Sequence, residues 1–266
     1  MHLSLENTPL QGDFSKQFAE GSPLPVLIVD NFLPQEFADN LLAEIQANTD
    51  FQRSNDYIFA KNKFESPKIE SLGIHGQALR KLMLSPEFAE VLSRMYGKPL
   101  KVDPDFVGGG LHRGGEGSFL DMHTDFNLHP KNRTWIRELN ILLYLNKGWQ
   151  PEYGGSLDLR NSETNQTGSI EPIYNRLVLM LTKNHTFHGY KPISFPEGTY
   201  RTSIASYAYS IASNESALEN LKTTTTWMPE QGGAVKSLIA RATPTLVTLK
   251  QRLFGSATAN KNKERS

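Results

Sequence analysis

The sequence contains no cysteine. Disulfides, iron–sulfur clusters and thiolate zinc sites are thereby excluded, and any metal must be held by His, Asp, Glu or backbone oxygen. Charge of one sign is not in excess either: 28 Lys plus Arg balance 28 Asp plus Glu. No global field therefore points to nucleic acid or to an anionic membrane. Long hydrophobic runs are missing too. The longest apolar stretches, Ile141–Leu145 and Leu177–Leu181, are strand-sized, well short of the roughly 18 residues that span a bilayer. The N-terminus lacks the basic-then-apolar order of a secretory signal. With the missing cysteines, this sets the expectation of a cytoplasmic protein.

What is present suffices for a packed core: 266 residues, 38% of them hydrophobic. Residues 1–24 are polar, with Gly and Pro punctuation, and read as a loosely ordered lead-in. Pro25–Val29 reads as a strand. In Gln35–Asn48, Phe37, Leu41, Leu42 and Ile45 recur at helical spacing. A second helical stretch covers about Gly76–Met95, with Leu79, Leu82, Met83, Phe88, Val91 and Leu92 on its apolar side. From about Lys101 the texture changes to short apolar runs separated by Gly, Asn, Pro and Asp. These are Phe106–Leu111, Ser118–Met122, Leu139–Leu145, Ser156–Leu159, Ser169–Ile173, Leu177–Leu181 and Tyr200–Ser210. Many short strands with regular turn signals read as a sandwich or barrel, with helices buttressing it. The expectation is one mostly-β domain over 25–212 with its β core at about 101–210, then an extension over 213–266. In Ala234–Phe254, apolar Leu238, Ile239, Leu246, Leu249 and Leu253 alternate with Lys236, Arg241, Lys250 and Arg252. A docked C-terminal helix with a frayed tail is preferred there over a membrane-surface helix.

Three segments carry candidate chemistry. In Phe119–Phe126, His123 and Asp125 stand two apart, so a strand would present both to one point. Alone, such a pair is equally a strand end and a turn. Far downstream, Asn184–Gly189 offers His185 and His188. His188 is preferred as a third ligand because Gly189 permits close backbone approach. Two imidazoles and one carboxylate on one face of an octahedron leave three positions open, which suits iron(II) binding a bidentate co-substrate and oxygen. In Tyr200–Tyr207, alternation puts Arg201 and Ser203 on one face. A buried arginine there would grip a carboxylate in two-point fashion.

Taken in order, these pieces resemble the 2-oxoglutarate/iron(II) dioxygenases, specifically the prolyl-4-hydroxylase-like superfamily. The resemblance runs from about Gly108 to Ser210, with an echo in Val26–Leu33. It rests on His123-Thr-Asp125, Leu139–Asn146, Gly154–Leu159, Ile170–Arg176, His188-Gly189 and Arg201-Thr-Ser203. It implies a double-stranded β-helix, a jelly roll buttressed by N-terminal helices. It implies iron(II) held by His123, Asp125 and His188. Arg201 would hold the distal carboxylate of 2-oxoglutarate, assisted by Ser203 and Tyr144. His112 stands where relatives often have a tyrosine. Arg201 follows His188 late, so Pro192–Gly198 must bulge, and Lys191 is the nearer alternative cation. The implied reaction consumes 2-oxoglutarate and O2, releases succinate and CO2, and hydroxylates an unactivated C–H bond. The substrate would be a prolyl residue of a peptide or a small molecule, and ascorbate would keep the iron reduced.

Rival readings are a catalytically silent jelly-roll binding module and a zinc-dependent hydrolase with Glu116 or Asp121 as base. Gly108–Gly110 reads as a strand-end bend, Gly154-Gly155 as a tight turn and His129 as a surface residue. Arg137 and Arg176 read as structural ion-pair partners.

Overall fold

The structure is a computed structural model, and it describes residues 3–49, 52–53, 56, 58–229, 236 and 238–240. In chain order the elements are α1 (Ser15–Ala19), β1 (Val26–Val29), α2 (Gln35–Ala47), β2 (Gln52–Arg53), β3 (Ala60–Ser66), α3 (Ile74–Met83) and α4 (Pro86–Tyr96). Then come β4 (Lys101–Val102), β5 (Gly110–Thr124), β6 (Trp135–Tyr144), β7 (Leu157–Asn161), β8 (Thr167–Ile170), β9 (Arg176–Leu181), β10 (Thr186–Tyr190), β11 (Arg201–Ile211) and β12 (Thr226–Trp227).

The strands form one curled antiparallel sheet in the order β1-β9-β6-β11-β5-β10-β7-β8. β3 and β12 add to β5, and β4 adds to β11. This is the double-stranded β-helix that the resemblance implied.

Alternation along the central strands separates two cores. On β6 and β9, Leu139, Ile141, Leu143, Leu177 and Leu179 face the helices, meeting Phe37, Leu41, Leu79, Phe88 and Leu92. Their neighbours Leu142, Tyr144, Val178 and Met180 face the barrel interior with Leu157, Leu159 and Ala205. Both faces are covered, which is why Ile141–Leu145 and Leu177–Leu181 read in sequence as continuous apolar runs. Tyr144 is thereby committed to the interior.

Three differences from the sequence reading have clear causes. The helix expected over 76–95 is two helices. Pro86 disfavours helical backbone at Ser85, and the Ser85 hydroxyl accepts a hydrogen bond from the Phe88 amide at 3.2 Å, capping α4. The separate runs 106–111 and 118–122 resolve into a turn through Phe106, at φ +48°, followed by the single long strand β5. β3, with the polar sequence AKNKFES, gave no strand signal and forms because β5 supplies a template for it. In the lead-in, Leu10 and Phe18 are buried in the helix-side core.

Beyond β11 the chain returns so that β12 lies against the end of β5. Of the expected helix at 234–254, Lys236 and residues 238–240 are described and helical, and the rest lies outside the described residues. Lys236 reaches Asp121 at 2.6 Å. Among the described residues no helix is long and apolar enough to cross a membrane.

Losing the α4 cap through Ser85→Ala should cost about 1 kcal/mol. Leu179→Ala, which empties a fully buried site, should cost about 2–5 kcal/mol. Urea midpoints measured at unchanged m-value check the ranking.

Candidate functional site

β5 and β10 pair so that His188 lies directly opposite His123. Residues opposite one another project to the same side of a sheet. Their rings accordingly meet inside the barrel, with centroids 4.3 Å apart. Asp125, one residue past the end of β5, places Oδ1 3.8 Å from His123 Nε2 and Oδ2 3.8 Å from His188 Nε2. The three potential ligand atoms all lie within 4.8 Å of one another, and all three residues are buried. Among the described residues they form the one such cluster. Gly189 makes the approach feasible, because a Cβ there would stand 2.6 Å from the Leu120 carbonyl oxygen. The rival His185 sits before β10, with Glu163 at 3.4 Å.

The electrostatics suit a cation. His123 Nδ1 lies 2.9 Å from the Asp121 carbonyl, which can only accept. That fixes the proton on Nδ1 and leaves the Nε2 lone pair facing the cluster. Burial lowers the pKa of His123, and burial with His123 beside it takes His188 down to about 3, so both rings are neutral. Burial opposes the charge on Asp125, but Arg137 foremost, then His188 and His123, hold its carboxyl below the usual range. Two neutral nitrogen donors and one carboxylate are a donor set that fits iron(II).

Two further side chains hold Asp125. Asn140 donates from Nδ2 to Oδ2 at 3.4 Å, and Arg137 Nη1 lies 3.4 Å from Oδ1. Arg137 is 1% exposed. Its guanidinium lies between the Phe126 and Tyr207 rings, 4.0 and 3.6 Å from their centroids, and donates to Tyr209 Oη. Its ion-pair partner is thus the candidate ligand itself. Arg176, by contrast, pairs with Asp30 on the surface.

Arg201 opens β11 and is buried. Nε donates to the Gly155 carbonyl at 2.6 Å, Nη2 donates to Tyr144 Oη at 3.2 Å, and the guanidinium stacks 4.1 Å from the Tyr190 ring centroid. Among the described residues no carboxylate is in ion-pair contact with it. A buried cation without an acid is costly, so the pocket fits an incoming carboxylate. Strand registers set Ser203 opposite both His112 and Tyr144. Burial foremost, then the Lys63 charge, lowers His112 to about 4. One cavity of about 200 Å³ is lined by His123, Asp125, His188, Arg201, Ser203, Tyr144 and His112 together.

Lys191 is exposed and lines a different, smaller cavity. The Pro192–Gly198 stretch does bulge, and Ile193 and Phe195 anchor it beside Tyr190. Glu116 is exposed and Asp121 is engaged by Lys236; neither lines the site cavity. His129 is fully buried rather than superficial: its Nδ1 accepts from the Lys131 and Asn132 amides, and Nε2 lies 3.4 Å from Asp103.

The sequence reading missed Asn140, the role of Gly155 and Trp227. Asn140 was accessible, since it lies four residues from Tyr144 on the same strand face. Gly155 gave no signal beyond a turn, yet its carbonyl anchors Arg201. Trp227, from β12, lines the cavity and lies 4.9 Å from the His123 ring centroid.

Residues 109–209 match the 2OG-Fe(II) oxygenase superfamily. The matched segment contains His123, Asp125, His188 and Arg201. No curated protein matches the sequence. Among solved structures, a prolyl-4-hydroxylase from Pseudomonas putida is similar at TM-score 0.54 and 15% identity, covering 74% of this chain and 98% of that one. A prolyl hydroxylase from Trichoplax adhaerens, solved with a hypoxia-inducible-factor peptide, gives TM-score 0.53 and 19% identity over 73% and 85%. HygX from Streptomyces hygroscopicus, solved with nickel, 2-oxoglutarate and hygromycin B, gives 0.51 and 11% over 76% and 88%. At these identities the likeness establishes a shared fold.

The neutral rings impose a pH dependence on the metal-free protein. His188 and His112 fall from 6.5 to about 3 and about 4 on folding. The folded chain then binds fewer protons than the unfolded chain, so their contribution to stability is complete above pH 6.5 and is lost as pH falls toward 4 and 3. Asp125, also lowered, acts in the same direction. Thermal melts of metal-free protein should therefore decline as pH falls below 6.5, and His188→Asn should make the decline shallower. A flat profile would contradict the buried, neutral assignment.

Proposed function

We propose that His123, Asp125 and His188 hold the iron(II), and that Arg201, Ser203, Tyr144 and His112 hold 2-oxoglutarate, in an oxygenase that hydroxylates an unactivated C–H bond. The observation that carries this reading is the buried, acid-free Arg201 sharing one cavity with the two imidazoles and Asp125.

Bound iron(II) would supply the redox chemistry, activating dioxygen with 2-oxoglutarate as the electron source, so that one oxygen atom reaches the substrate and the other leaves in succinate beside CO2. The chain's own residues bind and orient. Asp125 offsets part of the cation's charge, and Asn140 and Arg137 fix its carboxylate plane. Arg201 receives the distal carboxylate in a low-dielectric interior, where the pairing is strong. Tyr144 orients the guanidinium from one side and Gly155 from the other. The apolar walls exclude water from the reacting carbon. Ascorbate is the proposed reductant for iron that has become oxidised, and the cysteine-free composition is compatible with the cytoplasm.

A zinc hydrolase would leave Arg201 without a role and would need a base that neither Glu116 nor Asp121 can provide from its position. A silent binding module would not require an intact donor set beside a carboxylate pocket. Relatives in fold include a peptide-bound prolyl hydroxylase and an enzyme bound to hygromycin B. A prolyl peptide and a small molecule are accordingly the two substrate classes to weigh.

Anaerobic addition of iron(II) and 2-oxoglutarate should give the weak visible metal-to-ligand charge-transfer band in wild type and none in His123→Ala. Aerobic incubation should convert 2-oxoglutarate to succinate. Wild type without a band, or a band that survives His123→Ala, would sink the assignment.

Gly155→Ala tests the carboxylate pocket from a distance. Gly155 has φ +77°, and a Cβ would stand 2.9 Å from Arg201 Cδ. Displacing that arginine should raise the 2-oxoglutarate concentration giving half the band by about tenfold, the loss of one charge-assisted contact. An unchanged titration would remove Arg201 from the pocket.

A further inference from the structure

The superfamily match ends at residue 209, yet the chain beyond it comes back to the candidate metal site. The Asn127 and Leu128 amides donate to the Lys222 carbonyl at 2.7 and 3.2 Å, and the Lys222 amide donates to Asn127 Oδ1 at 3.0 Å. β12 then pairs with the end of β5, with Thr226 opposite Thr124 and Trp227 opposite His123. The Met228 amide donates to the Met122 carbonyl at 2.8 Å. The backbone of residues 222–228 is thus tied down on both sides of His123 and Asp125.

β10 pairs with β5 at the same residue, His188 opposite His123. The two neighbours must lie along opposite edges of β5, and residues opposite one another project to the same side of a sheet. His123 therefore stands between His188 and Trp227. The rings agree: the His188 centroid lies 4.3 Å away at 47°, and the Trp227 centroid 4.9 Å away at 30°. Trp227 is backed in turn by Phe59, stacked at 4.8 Å and 11°. Phe59 precedes β3 and Trp227 lies in β12, so segments from before and after the matched core meet over one candidate ligand.

Neither ring is needed to ligate iron or to pair with 2-oxoglutarate. Their effect falls on His123. Its Nδ1 hydrogen bond to the Asp121 carbonyl holds one atom of the imidazole and leaves the ring plane to pivot about that point. A backed indole face limits the pivot and keeps Nε2 turned toward Asp125 and His188. An imidazole bound to a dication is electron-poor, and an indole face attracts positive charge better than other aromatic faces do. The stack is therefore stronger with metal bound than without, which is the condition for it to add to affinity. Trp227 and Thr225 also form part of the cavity wall and cover this side of the cluster.

We propose that Trp227 is a positioning residue: backed by Phe59, its ring fixes the plane of His123 and strengthens metal binding, which makes residues 222–228 part of the active site. This deepens the oxygenase reading and rests on it. The role is exerted through His123 and not through the co-substrate.

The test uses the full chain and metal alone. In anaerobic calorimetry with iron(II), Trp227→Ala should bind about tenfold or more weakly than wild type, the usual loss when an outer partner of a metal-bound imidazole is removed. Trp227→Phe, which keeps a flat ring, should stay within about threefold of wild type. Should Trp227→Ala not fold by circular dichroism, Trp227→Leu, which keeps apolar bulk without a ring face, takes its place with the same expectation. Cobalt(II), an air-stable probe of the same donor set, should quench tryptophan emission in wild type and less so in Trp227→Phe. At saturating iron(II), the 2-oxoglutarate concentration giving half the charge-transfer band should be the same in wild type and variants, in contrast to Gly155→Ala. Wild-type iron affinity in the variants without a ring overturns the proposal, as does a Trp227→Phe loss equal to theirs or an undiminished quench. So does an effect confined to 2-oxoglutarate. If wild type binds iron(II) and the variants bind it equally, the positioning role alone fails and the oxygenase reading stands. If wild type binds no iron(II), the oxygenase reading itself fails.

Discussion

Antiparallel pairing between β5 and β10 sets His188 opposite His123, and the geometry of the site follows from that register. Side chains alternate with period two, so a slip of one residue would turn His188 away from the interior. Several contacts hold the register in place. Gly189 lets the β10 backbone come against Leu120 and Asp121, Tyr190 Oη meets Ser118 Oγ at 2.8 Å, and β7 pairs along the other edge of β10. The same long β5 also carries His112 and templates β3 and β12. One strand therefore aligns the His–Asp–His cluster, part of the Arg201 pocket and the outer wall.

The interior is an arrangement of charges in a medium that penalises charge. Asp125 is offset by Arg137, and Arg137 is in turn sheltered by Phe126, Tyr207 and Tyr209. Arg201 is held by neutral partners alone: a carbonyl, a phenol and the Tyr190 ring. The contrast is informative. A carboxylate next to Arg201 would compete with a bound acid, whereas a carbonyl and a hydroxyl orient the fork and leave its charge available.

Much of this was legible in the sequence because the informative residues follow simple periods. Ile141–Leu145 and Leu177–Leu181 are apolar throughout since both of their faces are covered, and Tyr144 was singled out by the family resemblance. His123, Asp125, His188, Arg201 and Ser203 announce themselves by residue type and order. What stayed hidden depends on partners distant in sequence. β3 is polar and acquires its strand form from β5. Gly155 matters through its carbonyl, an atom every residue has. His129 looked superficial because its two backbone donors and Asp103 cannot be read from its neighbours. The 76–95 stretch reads as one helix until the Ser85-Pro86 step is weighed against its continuous apolar side.

The aromatic cage around Arg137 bears on the order of events during maturation. In many small metal sites the unmetallated chain does not fold, because the binding free energy of the ion is part of the folding free energy. Here the anion already has a cation beside it, that cation is seated among rings and a phenol, and the two imidazoles are uncharged. Nothing in the cluster demands an ion before the barrel can close. The cluster is electrostatically compensated by the chain itself, so closing the barrel over it does not require a cation to offset Asp125.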